Sequence, residues 1–343
     1  MLKNEKRKAP LLNFAALAAL FALLVLLMES GVVSMYVRGI IVQCFYVIIM
    51  VTSLNLTMGF LGQLTLGHAG FMAVGAYTSA LVAKALLQAN ILTVGPGSDI
   101  LLFLICMPAG ALMAALFGIL VGIPALRLRG DYLAIITLGF GEIIRVLIQN
   151  LKFAGSKGLA QGQAGQALIG IPVMNNVYVL FWIASLCVVV MFSFVRSKYG
   201  RTIMAIREDD IAASSVGLNN TYYKVFTFTI SAMFAGIAGA IFAFRGLGTL
   251  SQNDFSFLKS TDYVIMVVLG GMGSLTGSVV AAIVLSVLPE LLRAAEQYRM
   301  LVYSVVLILV MIFRPAGLLG VYEFSIRKWL PRLFDKKEEV PKA

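Results

Sequence analysis

Residues 199–217, YGRTIMAIREDDIAASSVG, place Arg207 directly before three consecutive acids, Glu208, Asp209 and Asp210. Such a grouping suits ionic contact with another protein better than catalysis. At helical spacing Ile203, Ile206 and Ala213 fall near one another, which leaves the charges as a polar surface. Gly217 is a residue suited to end a helix. An amphipathic helix resting on lipid heads is the plainer alternative, but three acids suit anionic lipid poorly, so the spacing favours a protein partner.

Elsewhere the residues that could do chemistry are few. Glu142 and Arg145 lie three apart and share a helix face, where they can neutralise each other. Their choices are a cavity or bundle interior, or the outer membrane face with the side chains reaching for water. His68 is the single histidine and sits among glycines, a setting for a structural hydrogen bond rather than a metal ligand. Cys44, Cys106 and Cys187 fall inside apolar runs without paired spacing and read as small buried hydrophobes. Asp131 suits the positive end of a helix dipole. No phosphate loop of the form G-x-x-x-x-G-K-[ST] occurs, and no Ser-His-Asp, zinc or paired-carboxylate constellation is visible. The sequence therefore describes no enzyme, no metal site and no cofactor. Its few acids within apolar runs also suit a proton-driven carrier badly.

The elements that must position these residues are apolar throughout. Of 343 residues 60% are hydrophobic and 13% charged, more apolar surface than a soluble protein of this length can hide. Runs of about 20 apolar residues, enough to cross the hydrocarbon core, recur along the chain. They predict spans near 10–28, 37–58, 64–87, 100–124, 131–150, 177–195, 225–245, 261–289 and 299–314. The first is read as a retained anchor, because no A-x-A cleavage pattern stands immediately before Glu29. The fold class is all-α, a polytopic helical membrane protein.

The formal charge of +11 is clustered: residues 1–9, 196–224 and 314–343 hold 16 of the 27 Lys and Arg. That matches the bias of cytoplasmic segments and gives no nucleic-acid surface. It divides the chain into a cytoplasmic N-terminus at 1–9, a membrane domain at 10–320 with a cytoplasmic loop at 196–224, and a cytoplasmic basic tail at 321–343. Residues 151–176 then lie outside, as a Gly- and Gln-rich loop with little regular structure. Parity fails unless 261–289 is broken at Gly270-Gly271-Met272-Gly273-Ser274, folding back or crossing as two half-helices. A second Gly-rich stretch contains Gly59, Gly62, Gly67, His68 and Gly70. Glycine-interrupted segments at comparable places in two halves point to inverted repeats with a pathway at their interface. Close helix packing explains the same glycines equally well.

Four stretches carry a family resemblance: GQLTLGHAGFMAVGAYTSA at 62–80, LRLRGDYLAIITLGFGEIIR at 126–145, GRTIMAIREDDIAASSVGLN at 200–219 and VLGGMGSLTGSVVAA at 268–282. FRPAGLLG at 313–320 also fits. In this combination the chain resembles permease subunits of the branched-chain amino acid ABC importer family, specifically the longer of its two permease types. The resemblance implies a non-catalytic subunit of the bacterial inner membrane that forms the pathway for leucine, isoleucine and valine. It implies a heterodimer with a second, shorter permease, two cytoplasmic ATPase subunits and an external binding protein. It further implies that 200–218 docks into the ATPase, with Arg207, Glu208, Asp209, Asp210 and Gly217 at the contact. Gly62, Gly67, His68, Gly70, Gly270, Gly271 and Gly273 are the candidates for pathway lining or helix breaks. A permease for urea or short amides keeps the architecture and changes the cargo; a carrier working alone is the other class. Replacing Asp209 and Asp210 by lysine is expected to stop uptake while the protein stays folded and inserted. Unchanged uptake in that variant removes the docking assignment.

Overall fold

In the computed structural model the described residues are 34–89, 97–150 except Arg129, 167–295 except Asn175 and 246–248, and isolated positions elsewhere. The chain divides into two compact units, one of residues 38–322 and one of 1–37 with 323–343. In the second unit Phe21, Val25 and Glu29 are helical. The span expected at 10–28 otherwise lies outside the described residues, as do most of 299–314 and the basic tail.

Ten helices follow in the described residues: α1 Met35–Asn55, α2 His68–Gln88, α3 Ser98–Ala125, α4 Asp131–Asn150, α5 Val177–Arg196, α6 Lys198–Glu208, α7 Asp210–Ser215, α8 Asn220–Ala243, α9 Phe257–Gly270 and α10 Leu275–Leu291. A π-helical turn, Leu56–Phe60, prolongs α1. Five elements are long and apolar enough to cross a membrane: Met35–Phe60, α2, α3, α5 and α8. The 20 residues of α4 reach about 30 Å, but α4 carries Asp131, Glu142 and Arg145.

Helices α2, α3 and α8 pack closely on one another, with α1 buried beside them. They approach through small residues. Gly75 of α2, Gly110 of α3 and Gly236 of α8 meet backbone to backbone, and a Cβ on Gly110 would lie 2.6 Å from the Gly75 carbonyl oxygen. Bare backbone is what allows such contact between helices that gain nothing from hiding apolar surface from lipid tails. The outward side of α3 stays apolar, with Leu112, Leu116 and Leu120 each more than half exposed. Such a face is stable in lipid, not in water.

The loop expected at 151–176 holds one regular piece among its described residues. Strand β1, Ala167–Ile169, pairs antiparallel with β2, Thr249–Ser251, so two segments far apart in sequence close over the same end of the bundle. Helix α2 begins at His68, four residues later than the apolar run suggests, because 62–67 are non-helical and Gly62 has φ 72°. The long run at 261–289 is two helices. Gly271 and Gly273 take φ 107° and 87° at the break. Gly270 and Gly277, seven residues apart, lie in backbone contact, so α10 folds back against α9.

Substituting Gly75 by valine would drive a branched side chain into the backbone of Gly236. The expected result is a loss of about 3 kcal/mol or more, seen as a drop of several degrees in the unfolding temperature of detergent-solubilised protein. An unchanged midpoint would contradict this packing.

Candidate functional site

The charged segment folds as two short helices set on a corner. Ser197 ends α5 and begins α6: its Oγ donates to the Phe194 carbonyl at 2.6 Å and accepts the Gly200 N–H at 3.3 Å. Gly200 lies against the backbone of Val195, where no side chain fits. Ile203 and Ile206 are buried, so the periodicity read from the sequence turns this face of α6 inward.

Asp209 interrupts the helix. Its carboxylate accepts the N–H groups of Ile211 and Ala212 at 2.9 and 3.0 Å, capping α7. Helix α7 ends in a Schellman arrangement, with Leu218 N–H to Ala213 O at 3.2 Å, Gly217 N–H to Ser214 O at 3.0 Å and Gly217 at φ 86°. The Asp210 carboxylate pairs with Lys224 Nζ at 3.0 Å and accepts from Asn220 Nδ2 at 2.7 Å, tying α7 to the start of α8. Asp209 and Asp210 thus hold the loop together. Reversing both to lysine would dismantle it, so the folded, uncoupled variant expected from the sequence is not available by that route. Glu208 is exposed and, among the described residues, has no hydrogen-bond or ion-pair partner.

Arg207 is exposed as well, but its guanidinium reaches back to the bundle. Its Nη1 donates to the Gly59 carbonyl in the π-helical turn after α1. Its stem covers Gly62, where an added Cβ would lie 2.9 Å from the Arg207 Cγ. The same Nη1 would be 3.4 Å from a Cβ on Gly273, in the break between α9 and α10. One guanidinium therefore bonds to the first glycine-interrupted segment and lies beside the second.

Those segments are joined behind it by Asn55, the last residue of α1, which is fully buried. Its Nδ2 donates to Ser274 O at 2.9 Å and to Ser278 Oγ at 2.7 Å, and its Oδ1 accepts the Gly273 N–H at 3.0 Å. The amide uses both of its donors. A Cβ on Gly59 would collide with the Asn55 side chain and with Gly273 N, so the π-helical turn must be bare for the two breaks to meet. From the far side, Gly317 and Gly320 lie against Gly271.

The other expected residues lie in close contacts within the bundle. Gly67 abuts the Thr137 carbonyl, and a Cβ on Gly70 would stand 2.9 Å from the Cα of Gly141 in α4. Leu66 N–H donates to Thr137 Oγ1 at 3.1 Å. His68 Nε2 and Ser53 Oγ share a hydrogen bond of 2.9 Å in the core, the structural role expected of a lone histidine. Glu142 pairs with Arg145 at 2.6 Å and accepts the Phe257 N–H at 3.1 Å, which anchors the first residue of α9. Among the described residues no group of His, Cys, Asp or Glu could hold a metal.

Sequence reading passes over Asn55 and Ser278, and names Ser274 only as part of the break. The available signal is an asparagine inside a long apolar run, which demands a partner once buried. Asn55→Leu keeps the volume and strands the Gly273 N–H, while the Ser274 carbonyl keeps the Ser278 N–H and hydroxyl. The expected cost is about 1–3 kcal/mol, read as a lowered unfolding temperature in detergent; no change would show that the bridge carries no load.

Residues 36–313 match the family described as branched-chain amino acid transport system, permease component. The high-affinity branched-chain amino acid transport permease protein LivM of Salmonella typhimurium is 40% identical over 299 residues, covering 79% of this chain and 67% of the relative. BraD of Pseudomonas aeruginosa is 27% identical over 83% of this chain and 94% of its own length. LivH of Salmonella typhimurium, another permease protein of such a system, is 25% identical over 78% and 88%. No solved structure matches the chain. A multi-pass bundle of apolar helices matched over most of its length by this family makes the chain a member of the branched-chain amino acid transport permease family.

Proposed function

We propose that this permease forms one half of an ATP-driven import pathway for leucine, isoleucine and valine in a bacterial inner membrane. It pairs with a second, homologous permease, is powered by two cytoplasmic ATPase subunits and receives cargo from an external binding protein. Similarity to LivM and, more weakly, to LivH supports the two-permease arrangement, and those names favour branched-chain amino acids over urea or amides. In this reading 1–9, 196–224 and 321–343 face the cytoplasm.

The observation that carries the mechanism is the path from α6 to the two breaks. Helices α6 and α7 offer the ATPase an exposed edge containing Glu208. Behind that edge, Arg207 grips Gly59, and Asn55 ties the same turn to Gly273 and Ser274. Movement of the docked edge therefore pulls on both broken segments together. An interaction can shift a conformational equilibrium only by the difference in its energy between two states. A charge-assisted hydrogen bond worth about 1.5–3 kcal/mol is sufficient for a roughly 10- to 150-fold shift. Substrates that are zwitterions with apolar side chains also suit a pathway with few fixed charges.

In the reconstituted importer, Arg207→Ala is expected to lower leucine uptake about tenfold while ATP hydrolysis continues, and Glu208→Lys to weaken retention of the ATPase subunits. Uptake per ATP equal to wild type in Arg207→Ala, together with full ATPase retention in Glu208→Lys, would refute the coupling path.

A further inference from the structure

Glu142 and Arg145 of α4 pair at 2.6 Å, and Lys259 and Asp262 of α9 pair at 3.6 Å. The two helices are joined where Glu142 accepts the Phe257 N–H. Gly141, next to Glu142, lies against Gly67 and Gly70 at the start of α2. Ser260, next to Lys259, accepts the Ala69 N–H at 2.9 Å. His68 in turn bonds to Ser53 of α1, in the apolar span that runs on to Phe60. At 1.5 Å per residue, the four charges therefore stand level with a point about 10 Å inside that span.

The chain itself does not hide these side chains. Glu142 and Arg145 remain 32% and 25% exposed, and Lys259 and Asp262 54% and 45%. Beside them Ile143 and Val146 of α4 and Leu258 of α9 are exposed too. Charged groups at such depth face protein or a water-filled cavity, because hydrocarbon solvates neither sign. The outward faces of α3 and α5 differ, since the charged residues of these helices, Asp99 and Arg196, stand at their ends. Gly139 is a second, independent sign. It has no left-handed conformation, and a Cβ there would meet no atom of the described residues within 4 Å. Glycine inside a helix weakens it, and the packing among the described residues does not require one here. Gly139 lies one turn from Ile143 on the same stripe. Bare backbone on a membrane helix allows another helix to approach closely.

We propose that the α4–α9 face is where the second, homologous permease packs, with Gly139 at the helix crossing and the two ion pairs beside it. The face rests on the proposed two-permease arrangement and names the surface that serves it. Subunits of one fold most often pair through equivalent faces about a two-fold axis, so such a surface must tolerate its own likeness. Each acid here already holds its base within the subunit. The face is thereby left without net charge and can meet its equivalent free of like-charge repulsion. An apolar stripe flanked by polar groups is also the anatomy of a protein contact. Lipid tails are met instead by the uninterrupted leucines of α3.

Gly139→Leu separates an interface role from a structural one. The substitution suits a helix and finds open space in this chain, but it would wedge a packed neighbour away. The test uses the importer complex extracted from membranes through a tag on this chain. Gly139→Leu is expected to retain about tenfold less of the second permease than wild type, whereas Leu116→Trp, on the lipid side of α3, retains it fully. Unchanged retention in Gly139→Leu overturns the face. The photoreactive p-benzoylphenylalanine in place of Ile143 reports on the same surface in the intact complex, whether or not Gly139→Leu folds. Illumination is expected to join it to the second permease, and the same residue in place of Leu116 is expected to give no such adduct. No adduct from position 143, one confined to this chain, or an adduct from position 116 alone overturns the face. A wild-type chain that purifies without any second permease would instead refute the two-permease reading, whatever the variants do.

Discussion

A buried primary amide holds the two interrupted segments of this permease together. Asn55 sits where α1 loses its regular winding, and its side chain closes onto the break between α9 and α10 through Gly273, Ser274 and Ser278. Irregular backbone within a membrane protein survives only where its polar groups find partners in protein or water. Here one side chain from the end of α1 supplies them to the break between α9 and α10. The glycines around it follow from that need, since Gly59 must be bare for the amide to reach across and Gly273 takes φ 87° at the break.

The surface segment inherits its role from this join. Arg207 stands at the end of α6, whose inward face is fixed by Ile203 and Ile206, and its guanidinium reaches the turn that Asn55 braces. The acids that follow divide the remaining work. Asp209 restarts the helix, Asp210 ties it to α8, and Glu208 stays exposed. A charged loop that would otherwise be a flexible connection thereby becomes a rigid extension of the bundle core.

Much of this is legible in the residues themselves, and the gaps have physical causes. Long apolar runs identify α1, α2, α3, α5 and α8, because a bilayer demands them. Failure of charge parity, with the glycines at 270–273, identifies the break between α9 and α10. Gly217 is recognisable as a helix stop, since few other residues accept its φ. The β1–β2 pair is not readable, because short strands far apart in sequence leave no periodic trace. Arg207 looks like part of an outward docking face, as charges in a loop usually are, and it does stay exposed; only the tertiary fold brings its guanidinium to the Gly59 carbonyl. Gly67 and Gly70 show that something approaches closely; that the neighbour is α4 depends on the packing of whole helices.

The central claim is that α6 and the π-helical turn move as one body, so a covalent bond should be able to replace the Arg207 contact. A Cβ on Gly62 would lie 3.7 Å from the Cβ of Arg207, close to the spacing of a disulfide, and the native Cys44, Cys106 and Cys187 are buried. The decisive measurement is leucine uptake per ATP by the Gly62→Cys/Arg207→Cys importer, reduced and then oxidised. The account requires low coupling when reduced and recovery on oxidation. Coupling that stays low or vanishes once the disulfide forms would mean that the two elements must part during transport, and would contradict it.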